Sequence, residues 1–179
     1  MNMGRVYFVR HGETFWNVEN RICGATDIAL TERGHQQAIE TGRLIREQGI
    51  CFDLILSSPL VRAAETARHI SEITGVPVRI EPRLTEQNFG KYESTARNGT
   101  EFQLSKQHFA DRYGSGESML HLAQRIYNLL DEIREDHRTY LLVVHNGIAR
   151  AVQSYFHDMT NEEYASFGIK NCAVLEYEW

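Results

Sequence analysis

This chain of 179 residues lacks the features that define several large classes of protein. It has 3 Pro and 3 Cys, and the cysteines form no CxxC motif and no zinc-type spacing with histidine. Its early apolar run, residues 6–9, is far too short for a signal sequence or a membrane span. The formal net charge of -5 argues against a sequence-independent nucleic-acid binder. We therefore expect a cytoplasmic protein with reduced thiols and neither a membrane nor a nucleic-acid partner.

The composition is that of an ordinary globular protein. Hydrophobic residues make up 42% and charged residues 24%, and the length suits one compact unit with a sizeable core. We expect residues 1–179 to form a single domain, present as a monomer or a homodimer.

Strand-like and helix-like patterns alternate along the chain. Apolar runs predict five strands, at residues 5–11, 52–58, 76–82, 139–146 and 172–179. Helical periodicity predicts intervening helices near residues 31–49, 59–75, 117–137 and 147–156, with a further helix starting near Thr14. This alternation is typical of an α/β protein, specifically a three-layer αβα sandwich with a mostly parallel central sheet.

The segment at about residues 83–116 interrupts this order. It has weak periodicity, scattered glycine and asparagine, and one possible helix from Glu101 to Phe109. We interpret it as a lid-like excursion over the surface, packed by its own aromatic residues, with Phe89 able to face the ligand crevice.

Charged and polar residues follow the predicted strands. In parallel sheets the ligand crevice lies beyond the carboxyl ends of the strands. Arg10 and His11 follow the apolar run of the first strand, and His145 follows that of the fourth. Arg62 comes after the second strand and Glu86 after the third. These five side chains are expected to meet at one edge of the sheet.

Such a set suits the transfer of a phosphoryl group. Arg10 and Arg62 could bind its oxygens bidentately, assisted by backbone N–H groups of the turn at Gly12 and of the helix after it. A neutral His11 could attack phosphorus if a backbone carbonyl holds its second ring nitrogen.

The remaining two residues complete this hypothesis. His145 could donate a hydrogen bond to the equatorial oxygens of the phosphoryl group. Glu86 could protonate the leaving oxygen and later take a proton from water.

The motifs "RHGET", "ALTERGHQQA", "SSPLVRAAETA", "LTEQNFG", "GES" and "VVHNG" occur in the chain in this order. In order and spacing they closely resemble the histidine phosphatase superfamily, also called phosphoglycerate mutase-like, over nearly the whole chain. The resemblance implies a phosphohistidine intermediate on His11, a phosphate pocket of Arg10, Arg62 and His145, and Glu86 as acid and base. It also implies that neither a metal ion nor another cofactor is needed, and that the partner is a small phosphorylated substrate. The substrate-binding residues expected around these five are Gly12, Glu13, Thr14, Asn17, Cys23, Gly24, Phe89 and Asn146.

Phosphatase and mutase activities are both found in this superfamily. The stretch 19–34 looks like the corresponding mutase loop, but the chain has no Arg-Arg pair and no basic insertion after Glu86. This favours a phosphomonoester hydrolase. A 2,3-bisphosphoglycerate-dependent phosphoglycerate mutase and a non-catalytic phospho-ligand binding module remain alternatives. Two departures from the family pattern, Ser94 and Asn146 where glycine is usual, leave the shape of the lid and of the leaving-group pocket open.

Overall fold

The central element of the fold is a five-stranded sheet, seen in a computed structural model that describes residues 4–179. Its strands are β1 (Arg5–Arg10), β2 (Leu54–Ser57), β3 (Val78–Ile80), β4 (Tyr140–Val144) and β5 (Val174–Glu178). The spatial order is β3-β2-β4-β1-β5, and only β5 runs antiparallel to its neighbour. The predicted mostly parallel sheet is confirmed.

Seven α-helices are found in the described part of the chain. They are α1 (Phe15–Val18), α2 (Glu32–Glu47), α3 (Val61–Thr74), α4 (Thr100–Ser105), α5 (Met119–Glu135), α6 (Asn146–Phe156) and α7 (Asn161–Ser166). Helix α2 begins at the predicted N-cap, where the Thr31 hydroxyl accepts a hydrogen bond from the Gly34 N–H. Helix α3 ends at Gly75, whose φ of 76° is readily adopted by glycine alone.

The three central strands, β1, β2 and β4, are buried on both faces because their side chains alternate between two hydrophobic cores. In β1, Val6 and Phe8 pack into the core shared with α5 and α6, whereas Tyr7 and Val9 pack into the core shared with α2 and α3. Apolar residues at every strand position, rather than at alternate ones, are what two covered faces require. The three-layer αβα sandwich predicted from the sequence is therefore confirmed.

The excursion after β3 has a small core of its own. It contains two single-turn 3-10 helices, Pro82–Leu84 and Gly90–Tyr92, followed by α4. A third hydrophobic cluster, which we call the excursion core, is separate from the two sheet cores and consists of Ile22, Phe89, Tyr92, Phe102 and Tyr113. Across residues 4–179, no helix combines the length and apolar character needed to span a membrane.

Candidate active site

Three neighbouring strands end at the same level of the sheet. Arg10, the last residue of β1, pairs with Val144 of β4, and Ser57 of β2 pairs with Val143. The next residue of each strand therefore enters the same region above the sheet, and the His11 and His145 rings lie 5.2 Å apart between centroids.

The backbone carbonyl of the next residue, Gly12, fixes the tautomer of the His11 ring. Its Nδ1 lies 2.7 Å from the carbonyl oxygen of Gly12, which can only accept, so Nδ1 carries the proton and Nε2 keeps its lone pair. Burial, reinforced by the charges of Arg62 and Arg10, holds the pKa of His11 well below its usual value. His11 is thus a neutral imidazole with a free nucleophilic nitrogen at neutral pH.

His145 is fully buried beside it. Its Nε2 lies 2.7 Å from the hydroxyl of Ser58, and its Nδ1 has no hydrogen-bond partner among the described protein atoms. Burial, followed by the charges of Arg62, His11 and Arg10, also holds the pKa of His145 well below its usual value.

Arg62 and Arg10 supply the positive charge near the two rings. Arg62 is completely buried and donates from both terminal nitrogens to the carbonyls of Gly24 and Thr26, at 2.6 and 2.8 Å. Arg10 donates from Nη1 to the carbonyl of Ile169, and burial lowers the pKa of Arg10 to about 10. The Nε atoms of both arginines are buried, and the described residues offer neither of them a partner.

Glu86 is fixed through both of its carboxylate oxygens. Oε1 accepts from the N–H of Gln87 and Oε2 from the N–H of Gly147, each at 2.8 Å. A Cβ at Gly147 would lie 2.4 Å from Oε1, so any larger residue there would displace the Glu86 carboxylate from this position. In this chain Asn146 directly follows His145, and Gly147 comes next. Because Gly147 has no side chain, its backbone packs directly against Glu86.

Two asparagines line the cavity with their carbonyl oxygens already engaged. Oδ1 of Asn17 accepts from the Thr14 N–H and from Nδ2 of Asn171, and Oδ1 of Asn146 accepts from the Ile169 N–H. The NH₂ group of each side chain remains available as a donor. Two amides presenting donors suit a ligand with anionic oxygens.

The cavity at this edge of the sheet has a volume of about 160 Å³. Predicted site residues that line it are Arg10, His11, Asn17, Cys23, Glu86, Phe89 and Asn146. Burial raises the pKa of the Cys23 thiol to about 11, so this side chain is uncharged at neutral pH. His145 and Arg62 do not line the cavity; they lie beneath it, close enough for the Arg62 charge to affect both histidines.

Four other predicted substrate-binding residues also lie outside the cavity lining, and each has a different structural contact. Gly12 packs against α2, where a Cβ would come within 2.4 Å of the Gly34 carbonyl oxygen. The Glu13 carboxylate accepts from the Thr31 hydroxyl at 2.9 Å, and Thr14 caps α1. Gly24 supplies one of the carbonyls that hold Arg62.

The expected contribution of a helix near Thr14 must be corrected. Helix α1 is a single turn of four residues, and its Thr14 cap and Asn17 side chain already satisfy backbone donors there. Few peptide dipoles add up over one turn. The longer helix that begins at the site is α6, whose first residues Asn146 and Gly147 line the cavity.

Sequence reasoning missed three cations that line the cavity: Arg97, Lys106 and Arg150. The first two lie in the excursion and the third on α6. These three residues are separated in the sequence and form no motif. From the sequence alone, each one would be interpreted as an ordinary surface charge. The region after Glu86 has no Arg-Arg pair, but in the folded chain it contributes two separate cations, Arg97 and Lys106, to the cavity.

Sequence reasoning also missed Glu93, which ties the excursion to the loop that holds Arg62. Its carboxylate accepts hydrogen bonds from the N–H groups of Gly24, Ala25 and Phe89 and from the Thr26 hydroxyl, at 2.7–3.1 Å. Glu93, a residue of the excursion, thereby fixes the loop whose carbonyls bind Arg62.

A histidine pair lies on the outer helices, away from the cavity. His35 Nδ1 is 3.0 Å from His69 Nε2, and Glu65 completes the one His/Cys/Asp/Glu group in residues 4–179 with ligand-like spacing. No sequence motif links these two histidines, which lie on different helices, α2 and α3. Glu65 is already paired with Arg68, at 2.9 Å.

Comparison with known proteins agrees with the motifs and the geometry. The sequence profile of the histidine phosphatase superfamily (branch 1) matches residues 6–179. The chain belongs to this superfamily. It is similar in sequence to a protein named "Probable phosphoglycerate mutase GpmB" from Erwinia tasmaniensis, with 38% identity over 160 residues, or 84% of this chain and 73% of the relative. The protein of the same name from Escherichia fergusonii is 37% identical over 157 residues, or 82% of this chain and 71% of the relative.

Solved structures of phosphatases share the fold of this superfamily member. The mycobacterial glucosyl-3-phosphoglycerate phosphatase with VO₃ matches with a TM-score of 0.84 and 26% identity, covering 97% of this chain and 90% of that one. The Entamoeba histolytica phosphoserine phosphatase in complex with 3-phosphoglyceric acid gives a TM-score of 0.82 and 28% identity, with coverage of 97% and 90%. The chain is therefore a histidine phosphatase superfamily enzyme.

Proposed function

We propose that the protein hydrolyses a small phosphomonoester, without a metal ion, through a phosphohistidine intermediate on His11. The observation that carries this proposal is the neutral His11 with its proton on Nδ1, beside two buried arginines. This combination supplies a nucleophile and the positive charge that the phosphoryl oxygens need.

The first half of the reaction transfers the phosphoryl group to the enzyme. The lone pair on Nε2 of His11 forms the N–P bond as the bond between phosphorus and the ester oxygen breaks. Glu86 donates a proton to that oxygen, which leaves as an alcohol. Arg10, Arg62 and a donor nitrogen of His145 stabilise the equatorial oxygens as their charge changes.

The second half regenerates the enzyme. Water attacks phosphorus, Glu86 accepts a proton from it, and the N–P bond breaks with its electrons returning to Nε2 of His11. The products are inorganic phosphate and the starting form of the site. Asn17 and Asn146 hold the phosphoryl or leaving group through their NH₂ donors.

A rapid-quench experiment with ³²P-labelled p-nitrophenyl phosphate tests this mechanism. We expect acid-labile label on His11 during turnover, and a loss of about 10³-fold or more in kcat for His11→Ala. His121→Ala, a histidine exposed on α5, is the matched control and should keep normal turnover. Label on serine or cysteine, or normal turnover by His11→Ala, would exclude the mechanism.

Phosphoglycerate mutase is the second candidate, favoured by the sequence relatives of that name and by the three cations in the cavity. The two activities are separated by supplying 3-phosphoglycerate. Release of inorganic phosphate without 2-phosphoglycerate supports the hydrolase. Rapid interconversion that depends on 2,3-bisphosphoglycerate supports the mutase, and tight binding without either reaction supports a binding module.

A further inference from the structure

Three cations share the cavity with the nucleophile. Arg97 precedes α4, Lys106 is the C-cap of α4 and Arg150 lies in the middle of α6, so the excursion and the helical layer both contribute. Apolar side chains also line this cavity, among them Ile22, Phe89, Phe102 and Phe167.

None of these cations is neutralised by a carboxylate within salt-bridge distance in the described structure. Arg97 donates from Nη2 to the carbonyl of Arg21 at 3.0 Å, and Arg150 donates from Nε to the carbonyl of Phe167 at 3.1 Å. The Lys106 ammonium lies 5.2 Å from the centroid of the Phe102 ring. All three contacts are with uncharged groups.

Other partly buried arginines of the chain are paired with carboxylates. Arg83 pairs with Glu81 and Glu132, at 2.9 and 2.7 Å, and Arg125 pairs with Glu117 at 2.8 Å. A buried cation is normally paired because losing water costs free energy that a counter-charge offsets. The unpaired cations of the interior are therefore concentrated at the cavity.

The three cations also repel one another. Burial, followed by the charges of Arg150 and Arg97, lowers the pKa of Lys106 to about 8. Burial likewise lowers the pKa of Arg97 and of Arg150. An anion placed among them would offset both the burial and the repulsion.

One phosphate group does not account for this much positive charge. Arg10 lines the cavity beside His11 and the Arg62 charge lies beneath them, so the position proposed for the phosphoryl group already has its own cations. Glu86 is the one carboxylate among the cavity residues described. We propose that Arg97, Lys106 and Arg150 form a second anion subsite, and that the substrate is a small phosphomonoester carrying a carboxylate or a second phosphate. This inference rests on the proposed phosphatase function.

A matched set of substrates tests the subsite. We expect kcat/KM for 3-phosphoglycerate to exceed that for glycerol 3-phosphate, which has an uncharged end, by about tenfold or more. Propane-1,3-diol bisphosphate carries a second phosphate instead of a carboxylate. A preference for either substrate with a second anionic group over glycerol 3-phosphate supports the subsite, and the ratio of their kcat/KM values identifies the anion that it favours.

Lys106→Met tests the residues. We expect kcat/KM for the preferred substrate to fall about tenfold, mainly through KM, while glycerol 3-phosphate and p-nitrophenyl phosphate change less than about twofold. Lys91→Met is the control, because it removes one exposed lysine from the same excursion and gives the same change in net charge. Equal losses for all substrates in Lys106→Met, or no preference in the unaltered enzyme, would overturn the proposal.

Equilibrium binding separates this inference from the proposed function. In His11→Asn, calorimetry compares 3-phosphoglycerate and propane-1,3-diol bisphosphate with glycerol 3-phosphate, without turnover. Tighter binding of a compound with a second anionic group, if Lys106→Met abolishes that advantage, would support the subsite even if no phosphatase activity were found. Equal binding of all three compounds would overturn the subsite even if hydrolysis were demonstrated.

Discussion

His11 and His145 are buried in their neutral forms, and this has a consequence for stability. Their pKa values in the folded protein are well below the usual value, whereas in the unfolded chain they return to about 6.5. The unfolded state therefore binds more protons below about pH 6.5. The stabilisation is present above that pH and is lost as the pH falls.

We expect the free energy of unfolding to decrease from about pH 6.5 downwards, by up to about 1.4 kcal/mol per pH unit for each histidine. Urea titrations at several pH values measure this slope. His11→Asn should reduce the slope, whereas the exposed His121→Ala should leave it unchanged. A slope that is the same in His11→Asn would contradict the neutral assignment.

The effect of replacing Glu86 should depend on the leaving group of the substrate. An alkoxide needs a proton in order to leave, so Glu86→Gln should slow phosphorylation by a sugar phosphate by about 10²- to 10⁴-fold. Nitrophenolate leaves without help, so the burst with p-nitrophenyl phosphate should fall much less. Single-turnover burst rates measure the first step alone. Equal losses for both substrates would show that Glu86 only shapes the site.

Individual residues were predictable where they follow a buried strand. Arg10, His11 and His145 come directly after apolar runs, and the topology of a parallel sheet brings such positions together. Arg97 and Lys106 were not predictable, because they lie in a segment whose course is set by tertiary packing. Arg150 lies on a predicted helix, but which of its sides faces the cavity depends on how α6 packs.

Among the elements, the long helices and strands agree with the hydrophobic pattern, whereas one short helix was missed. Helix α7, six residues long, was not predicted. A helix of one or two turns has little periodicity to detect and is stabilised mainly by its contacts. The capping box of Thr160 and Glu163 was the available sequence signal for α7.

Ser94 shows how one element departs from the family pattern. Its φ is 63°, in the left-handed region that costs a residue with a Cβ about 1 kcal/mol or more. We expect Ser94→Gly to stabilise the protein by about 0.5–1 kcal/mol, once the greater freedom of glycine in the unfolded chain is subtracted. Differential scanning calorimetry should show a Tm about 2–4 °C higher at the upper end of that range.

Ser94→Ala is the control for this prediction. It keeps the Cβ and hence the unfavourable backbone conformation, so it should give no gain in Tm. A similar increase for alanine and glycine would mean that the serine hydroxyl, and not the backbone, is responsible.

On the scale of the whole molecule, positive charge is concentrated at the cavity of a chain whose net charge is -5. We expect phosphatase activity to survive exhaustive treatment with EDTA, because arginine side chains supply the positive charge that Mg²⁺ supplies in other phosphoryl-transfer sites. Activity with p-nitrophenyl phosphate before and after chelation measures this. Loss of activity that a single divalent metal restores would contradict it.

The excursion core has a further consequence because it is separate from the two sheet cores. Segments that pack on a cluster of their own can open without global unfolding. Arg97 and Lys106 would move with such an opening, whereas His11 and His145 would remain at the ends of their strands. Amide hydrogen exchange should therefore be faster in the excursion than in β1 and β4, and a ligand that contacts both Lys106 and His11 should slow it there first.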